Sequence, residues 1–156
     1  MPYIYADPSR CTGCEICVLT CSFTYFKVLN PKKARLRVVR MEPAIDLVIA
    51  CRNCEKAPCM EACPNEAIKR TSKGIIVIDE GRCDGCGRCV EACPLDAIHI
   101  PPNEKTPIKC VACGACVQAC PVGCLKIAYS FEEAFEKRRN YAERLKEIVL
   151  NLRSGG

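Results

Sequence analysis

Residues 83–94 read Cys-Asp-Gly-Cys-Gly-Arg-Cys-Val-Glu-Ala-Cys-Pro, placing cysteines at Cys83, Cys86, Cys89 and Cys93 and closing on Pro94. The same C-x2-C-x2-C-x3-C run recurs at Cys11, Cys14, Cys17 and Cys21, and at Cys110, Cys113, Cys116 and Cys120. A further run, Cys51, Cys54, Cys59 and Cys63, widens one gap to give C-x2-C-x4-C-x3-C. Three of the four runs end in Cys-Pro, at Pro64, Pro94 and Pro121. Together they take up sixteen of the seventeen cysteines in a chain of 156 residues.

Three chemistries use dense cysteine. Disulfides belong to short secreted chains, but the N-terminal Met-Pro-Tyr-Ile-Tyr-Ala-Asp has no basic or apolar leader character, so export is not expected. Zinc ribbons need two C-x2-C pairs per metal, not triplets followed by a fourth cysteine before proline. Three close thiolates on one cubane, with the fourth reaching a neighbouring one, is the bacterial ferredoxin pattern. Sixteen thiolates are enough for four 4Fe–4S clusters, and such oxygen-sensitive ligands suggest an anaerobic, reducing setting.

The remaining composition fits that reading. Tryptophan is absent and aromatics are 6% of residues, so the clusters are expected to replace much of the core and metal ligation to supply folding energy. The formal charge of +5 is offset by about −2 for each oxidised cubane, giving a holo-protein near −3. That argues against a nucleic-acid footprint. No stretch approaches the apolar length a membrane span requires. His99 is the only histidine, which excludes ordinary histidine-based acid–base or nucleophilic catalysis, and it reads as a surface residue. No G-x-G-x-x-G dinucleotide fingerprint is present. A fully cysteine-ligated cluster also leaves no open coordination position for Lewis-acid work. The expectation is therefore a non-enzymatic electron carrier.

The segments Cys63-Pro-Asn-Glu-Ala-Ile, Cys93-Pro-Leu-Asp-Ala-Ile and Cys120-Pro-Val-Gly-Cys-Leu repeat one another. Cys124 falls in the slot held by Ala67 and Ala97, and reads as a small buried side chain beside a cluster. One β-hairpin is predicted with its turn at Gly74, and a second between Ala97 and Lys109. Between the first two runs, Arg35-Leu-Arg-Val-Val-Arg and Asp46-Leu-Val-Ile-Ala read as strands. Lys32, Lys33, Arg35, Arg37 and Arg40 form a basic patch, either a solvated face or a docking surface. Apolar residues recur at helical spacing over 131–153, predicting an amphipathic helix that begins at Ser130. Arg10, Arg82 and Lys109 each precede the first cysteine of a run, whereas Ala50 fills that place in the second run. These three cations are candidates for raising the potentials of their clusters relative to the remaining one.

From Cys11 to about Tyr129 the chain resembles the four-cluster ferredoxin-like electron-transfer subunits of the dimethyl-sulfoxide-reductase iron–sulfur type. The order of the runs and the C-x2-C-x4-C-x3-C-P form of the second carry the resemblance. It implies an α+β fold of two bacterial-ferredoxin-like modules, one inserted in the other, with short β-hairpins, a cluster-dominated core and a C-terminal helix. Residues 1–50 and 94–130 would form the outer module, 51–93 the inner one, and 131–153 the helix. The ligand sets implied by the resemblance, and not by spacing alone, are four. Cluster 1 takes Cys11, Cys14, Cys17 and Cys120, and cluster 2 takes Cys21, Cys110, Cys113 and Cys116. Cluster 3 takes Cys51, Cys54, Cys59 and Cys93, and cluster 4 takes Cys63, Cys83, Cys86 and Cys89. The compact fourth run and the absence of an anchor suggest a short cytoplasmic version. Such a version is similar to small subunits of tungsten aldehyde oxidoreductase, benzoyl-CoA reductase and carbon monoxide dehydrogenase systems. The implied function is single-electron relay between a catalytic oxidoreductase subunit, of tungsten or molybdenum aldehyde oxidoreductase type, and an external carrier or second subunit. A freely diffusing polyferredoxin and a self-associating, filament-forming subunit remain as alternatives.

Overall fold

Four two-stranded antiparallel sheets and a few short helices make up a computed structural model that describes residues 2–41 and 45–130, with Glu132, Glu133 and Glu143. Strand β1 (Tyr3–Ala6) pairs with the last strand, β8 (Leu125–Ala128), so the two ends of the cysteine-bearing region lie side by side. Between them come α1 (Ile16–Phe26), a 3-10 turn (Pro31–Lys33), β2 (Arg37–Met41) and β3 (Ile45–Ile49). Next are α2 (Pro58–Glu61), β4 (Ile68–Arg70), β5 (Ile76–Ile78) and α3 (Arg88–Glu91). The series continues with β6 (Ile98–His99), β7 (Ile108–Lys109) and α4 (Ala115–Ala119). The β4–β5 and β6–β7 hairpins and the β2–β3 pair form where sequence patterning expects them. No helix among the described residues is long and apolar enough to cross a membrane.

Each of α2, α3 and α4 lasts four or five residues because the run ends in cysteine and proline. Their buried residues are Cys59, Cys89 and Cys116, the third cysteine of each run. The longer α1 buries Cys17, Val18, Cys21 and Ser22 on one face and ends at Lys27, whose left-handed backbone donates its N–H to Phe23 O at 3.0 Å. Helix α1 packs on α4, and α2 on α3.

Two principal cores result. The larger joins Ile4, Val18, Leu36 and Leu125 to Cys17, Cys21, Cys110 and Cys116. The smaller joins Ala57, Ile68, Ile76 and Ile98 to Cys59 and Cys89. Ala97 lies in the first and Ile98 in the second, so the strand after the third run touches both. In both cores thiols stand beside small and aliphatic side chains, as the scarcity of aromatics requires.

The basic patch is not a free face. Lys33 pairs with Glu104 at 2.8 Å, Arg37 with Asp96, and Arg40 with Asp46 at 3.0 Å. The Arg35 guanidinium lies 3.7 Å from the Tyr25 ring centre. Two of these pairs stitch the segment after α1 onto the loops around β6 and β7. His99 also departs from the surface position expected of it. It is half-buried and hydrogen-bonded to the Lys32 backbone, and desolvation is the main cause lowering its pKa. The helix expected over 131–153 lies outside the described residues apart from three positions. At its expected start, Ser130 Oγ accepts the Glu133 N–H at 3.1 Å, as an N-cap does.

Candidate metal centres

The backbone of each run is shaped around its second cysteine. The residue just before that cysteine is left-handed in all four runs: Gly13 (φ 62), Asn53 (φ 50), Gly85 (φ 77) and Ala112 (φ 54). The residue just after it is also left-handed in the three compact runs, at Glu15, Gly87 and Gly114. Paired left-handed residues curl the loop so that successive N–H groups face inward, the arrangement that makes an anion-binding nest. At Gly85 there is no room for a side chain, because an added Cβ would stand 2.8 Å from Lys105 O.

Tertiary packing brings the thiols into mixed sets. A small cavity, partly open to solvent, is lined by Cys51, Cys54 and Cys59 of the second run with Cys93 of the third. A second is lined by Cys83, Cys86 and Cys89 of the third run with Cys63 of the second. A third is lined by Cys110, Cys113 and Cys116 of the fourth run with Cys21 of the first. Cys11, Cys14 and Cys120 all act on Cys17, marking a corresponding gathering.

Burial is the largest cause raising Cys17, Cys59 and Cys110 to about 11 and Cys116 to about 12, and mutual repulsion of neighbouring thiolates adds to each. Four such thiols cannot ionise together without positive charge among them. All seventeen cysteines are free. Among the described residues no three His, Cys, Asp or Glu side chains converge closely enough to hold one ion. A donor set of four thiols spread around a cavity suits a polynuclear cluster, in which each thiolate takes its own iron, better than mononuclear zinc. The residues present fit 4Fe–4S groups.

Backbone amides already face several of the sulfurs. Arg35 N donates to Cys21 Sγ at 3.2 Å, Ala67 N to Cys63 Sγ at 3.3 Å and Ala97 N to Cys93 Sγ at 3.4 Å. Asn53 N donates to Cys51 Sγ and Ala112 N to Cys110 Sγ, both at 3.4 Å. Such bonds stabilise thiolate charge and tune a bound cluster. Cys124 is 3% exposed, and its Sγ lies 3.5 Å from Cys120 Sγ.

The three candidate tuning cations are placed unlike one another. Arg10 and Arg82 are exposed, and Arg82 stands 3.9 Å from Asp79. Lys109 is 2% exposed. The second run, preceded by Ala50, holds Arg52 and Lys56 within its own sequence, and the fold brings two more cations to it. Arg70 Nη1 donates to Asn53 O at 3.3 Å, while Nη2 donates to Cys54 O and to Glu55 O at 3.0 Å. The Lys109 ammonium bonds Asn53 Oδ1 at 3.2 Å. Sequence reasoning passed over Asn53 and Arg70. The one signal for Asn53 was its place in a slot that is Gly in two other runs.

Comparison with known proteins agrees with this chemistry. The LdpA Fe-S cluster-binding domain matches residues 51–104, and 4Fe-4S binding domains match 8–24 and 105–126. The aliphatic sulfonate oxidoreductase, polyferredoxin-like subunit, of Pyrococcus furiosus is 37% identical over 64% of this chain and 58% of its own length. The putative electron transport protein YsaA of Escherichia coli is 34% identical over 66% of this chain and 69% of its own. A chain of the active site complex BamBC of benzoyl coenzyme A reductase, with benzoyl-CoA, aligns over 96% of both chains at 22% identity and a TM-score of 0.49. The domain matches and sequence relatives define a class, the 4Fe–4S ferredoxin-like electron carriers. Within it, the chain belongs to the electron-transport family that includes YsaA. It spans little more than half the length of the Pyrococcus relative.

Proposed function

We propose that the chain holds four 4Fe–4S clusters and relays single electrons between a catalytic oxidoreductase subunit and an external carrier or second subunit, without catalysis of its own. The observation that carries this reading is the gathering of three thiols from one run with the fourth from another around shared cavities. On it, the ligand sets are Cys11, Cys14, Cys17 and Cys120; Cys21, Cys110, Cys113 and Cys116; Cys51, Cys54, Cys59 and Cys93; and Cys63, Cys83, Cys86 and Cys89. The pairing of β1 with β8 and of α1 with α4 supports a nested arrangement, in which the two inner runs form a module inserted within the outer one.

The bound clusters supply one-electron chemistry. The chain's residues hold them, space them and limit water around them. Cys14, Cys86 and Cys113 are exposed, which puts the edges of three sites near the surface where an electron can enter or leave. The names of two relatives support a fixed catalytic partner: the thiosulfate reductase electron transfer subunit PhsB of Salmonella typhi and the Pyrococcus aliphatic sulfonate oxidoreductase component. The tungsten or molybdenum aldehyde oxidoreductase type and a cytoplasmic setting remain part of this proposal. A diffusing polyferredoxin is the second reading, and the internal pairing of Lys33 and Arg37 favours it by removing part of the docking patch.

Anaerobic purification through a tag, with iron and heavy-metal analysis, tests both. About sixteen irons per chain, together with a larger co-eluting polypeptide containing tungsten or molybdenum, is the expected result. About sixteen irons on an isolated chain moves the assignment to the diffusing carrier, and substantially fewer sinks the four-cluster reading.

A further inference from the structure

Lys109 is almost wholly buried, at 2% exposure, and its ammonium meets only oxygen acceptors of neutral groups. They are Asn53 Oδ1 at 3.2 Å, Cys110 O at 3.1 Å and Ile76 O. Three acceptors use all three ammonium protons. Among the described residues no carboxylate lies within ion-pair distance of it. Taking an ammonium out of water costs several kcal/mol even after relaxation, and neutral acceptors repay only part of that. A buried cation so placed calls for a negative charge that side-chain carboxylates do not provide.

The position of the ammonium indicates where that charge comes from. Two of its acceptors belong to the cavity with Cys51, Cys54, Cys59 and Cys93, where Asn53 N also donates to Cys51 Sγ and Ile76 forms part of the wall, and the third is the carbonyl of Cys110, in the cavity with Cys21, Cys113 and Cys116. Asn53 holds the ammonium in place. It is 0% exposed, donates from Nδ2 to Pro2 O at 2.6 Å and accepts the Ile76 N–H at 3.0 Å. Asparagine tolerates the left-handed backbone this slot demands, and it adds a side-chain acceptor that Gly13, Gly85 and Ala112 cannot provide.

Resting on the four-cluster reading, we propose that Lys109, seated on Asn53, is a shared counter-charge for the sites built on Cys51/Cys54/Cys59/Cys93 and Cys21/Cys110/Cys113/Cys116. It favours the reduced state of both where the two ferredoxin-like halves meet. Reduction of either site adds one negative charge from the electron donor and makes or breaks no bond. The benefit is therefore electrostatic and is read as a potential.

The test is an EPR-monitored redox titration of the cluster-loaded full chain, with iron counted first. In Lys109→Met, two of the four midpoints fall and two hold. Each affected site shows about a tenfold lower reduced-to-oxidised ratio at fixed ambient potential, ~59 mV for one electron. Lys109→Arg keeps the charge and restores both. Asn53→Asp sets a carboxylate against the ammonium without removing it and lowers the same two, so it carries the test if Lys109→Met loses iron. Midpoints that stay put, or four that fall together, in fully loaded variants overturn the inference alone. A wild-type chain that never holds about sixteen irons overturns the four-cluster reading and the inference with it.

Discussion

Charge and volume at single positions separate residues that look alike in the sequence. Arg10 and Arg82 share the position of Lys109 ahead of a run, yet both face solvent. Water and salt screen an exposed charge, so Arg10→Gln and Arg82→Gln should leave all four midpoints within experimental scatter. A fall comparable to that expected for Lys109→Met would contradict this. Cys124 tests volume. Alanine fills its repeat slot at 67 and 97, so Cys124→Ala should retain the full complement of iron and sulfide, and loss of about four irons would instead mark it as a ligand. Gly85 tests backbone. Alanine there combines a left-handed φ of 77 with a Cβ 2.8 Å from a main-chain oxygen. The left-handed conformation alone costs roughly 1–2 kcal/mol. Gly85→Ala should lose the Cys63/Cys83/Cys86/Cys89 site first, seen as one missing EPR component.

Among the elements, the segment between α1 and β3 acts as a strap. Arg37 reaches Asp96, Lys33 reaches Glu104, and the Arg35 amide donates to Cys21 Sγ. These contacts tie the strap to the loops flanking β6 and β7 as well as to a buried thiol of the larger core. Lys33→Ala should change thermal stability by under about 1 kcal/mol, as exposed ion pairs do. Arg37→Ala should cost more, because the same guanidinium also bonds the Asp96 carbonyl. Melting of the loaded protein under anaerobic conditions ranks the two, and equal effects would argue against the strap.

For the molecule as a whole, buried thiols set the dependence on metal and pH. Cys116 is raised from 9.0 to about 12 and Cys110 from 9.0 to about 11, so the metal-free fold prefers protonated thiols that the unfolded chain gives up earlier. Their contribution is present below pH 9 and is lost as pH climbs through 11 to 12. Chelating iron should strip most secondary structure at neutral pH, and the remaining folded fraction should shrink further above pH 9. The loaded protein, whose thiolates carry no proton, should show no such alkaline loss. Circular dichroism against pH, with and without chelator, decides it.

Cysteine spacing by itself determined the cofactor class, because the C-x2-C-x2-C-x3-C run with its closing proline is a local property that no rearrangement of the fold removes. Alternation and turn residues likewise made the β2–β3 pair and the β4–β5 and β6–β7 hairpins legible in the sequence. Only the tertiary structure decided which runs meet, since a fourth thiol such as Cys93 reaches the cavity of a run about thirty residues away through packing that spacing does not encode. It also decided the role of cations. Lys109 reads as the neighbour of Cys110, but its four-carbon stem carries the charge to Asn53 and the second run. Lys33 and Arg37, read as part of a patch, are spent on Glu104 and Asp96. Long side chains place their charge far from their sequence position, whereas a cysteine keeps its sulfur one carbon from the backbone. The cysteine runs were therefore legible in the sequence, and the charges around them were not.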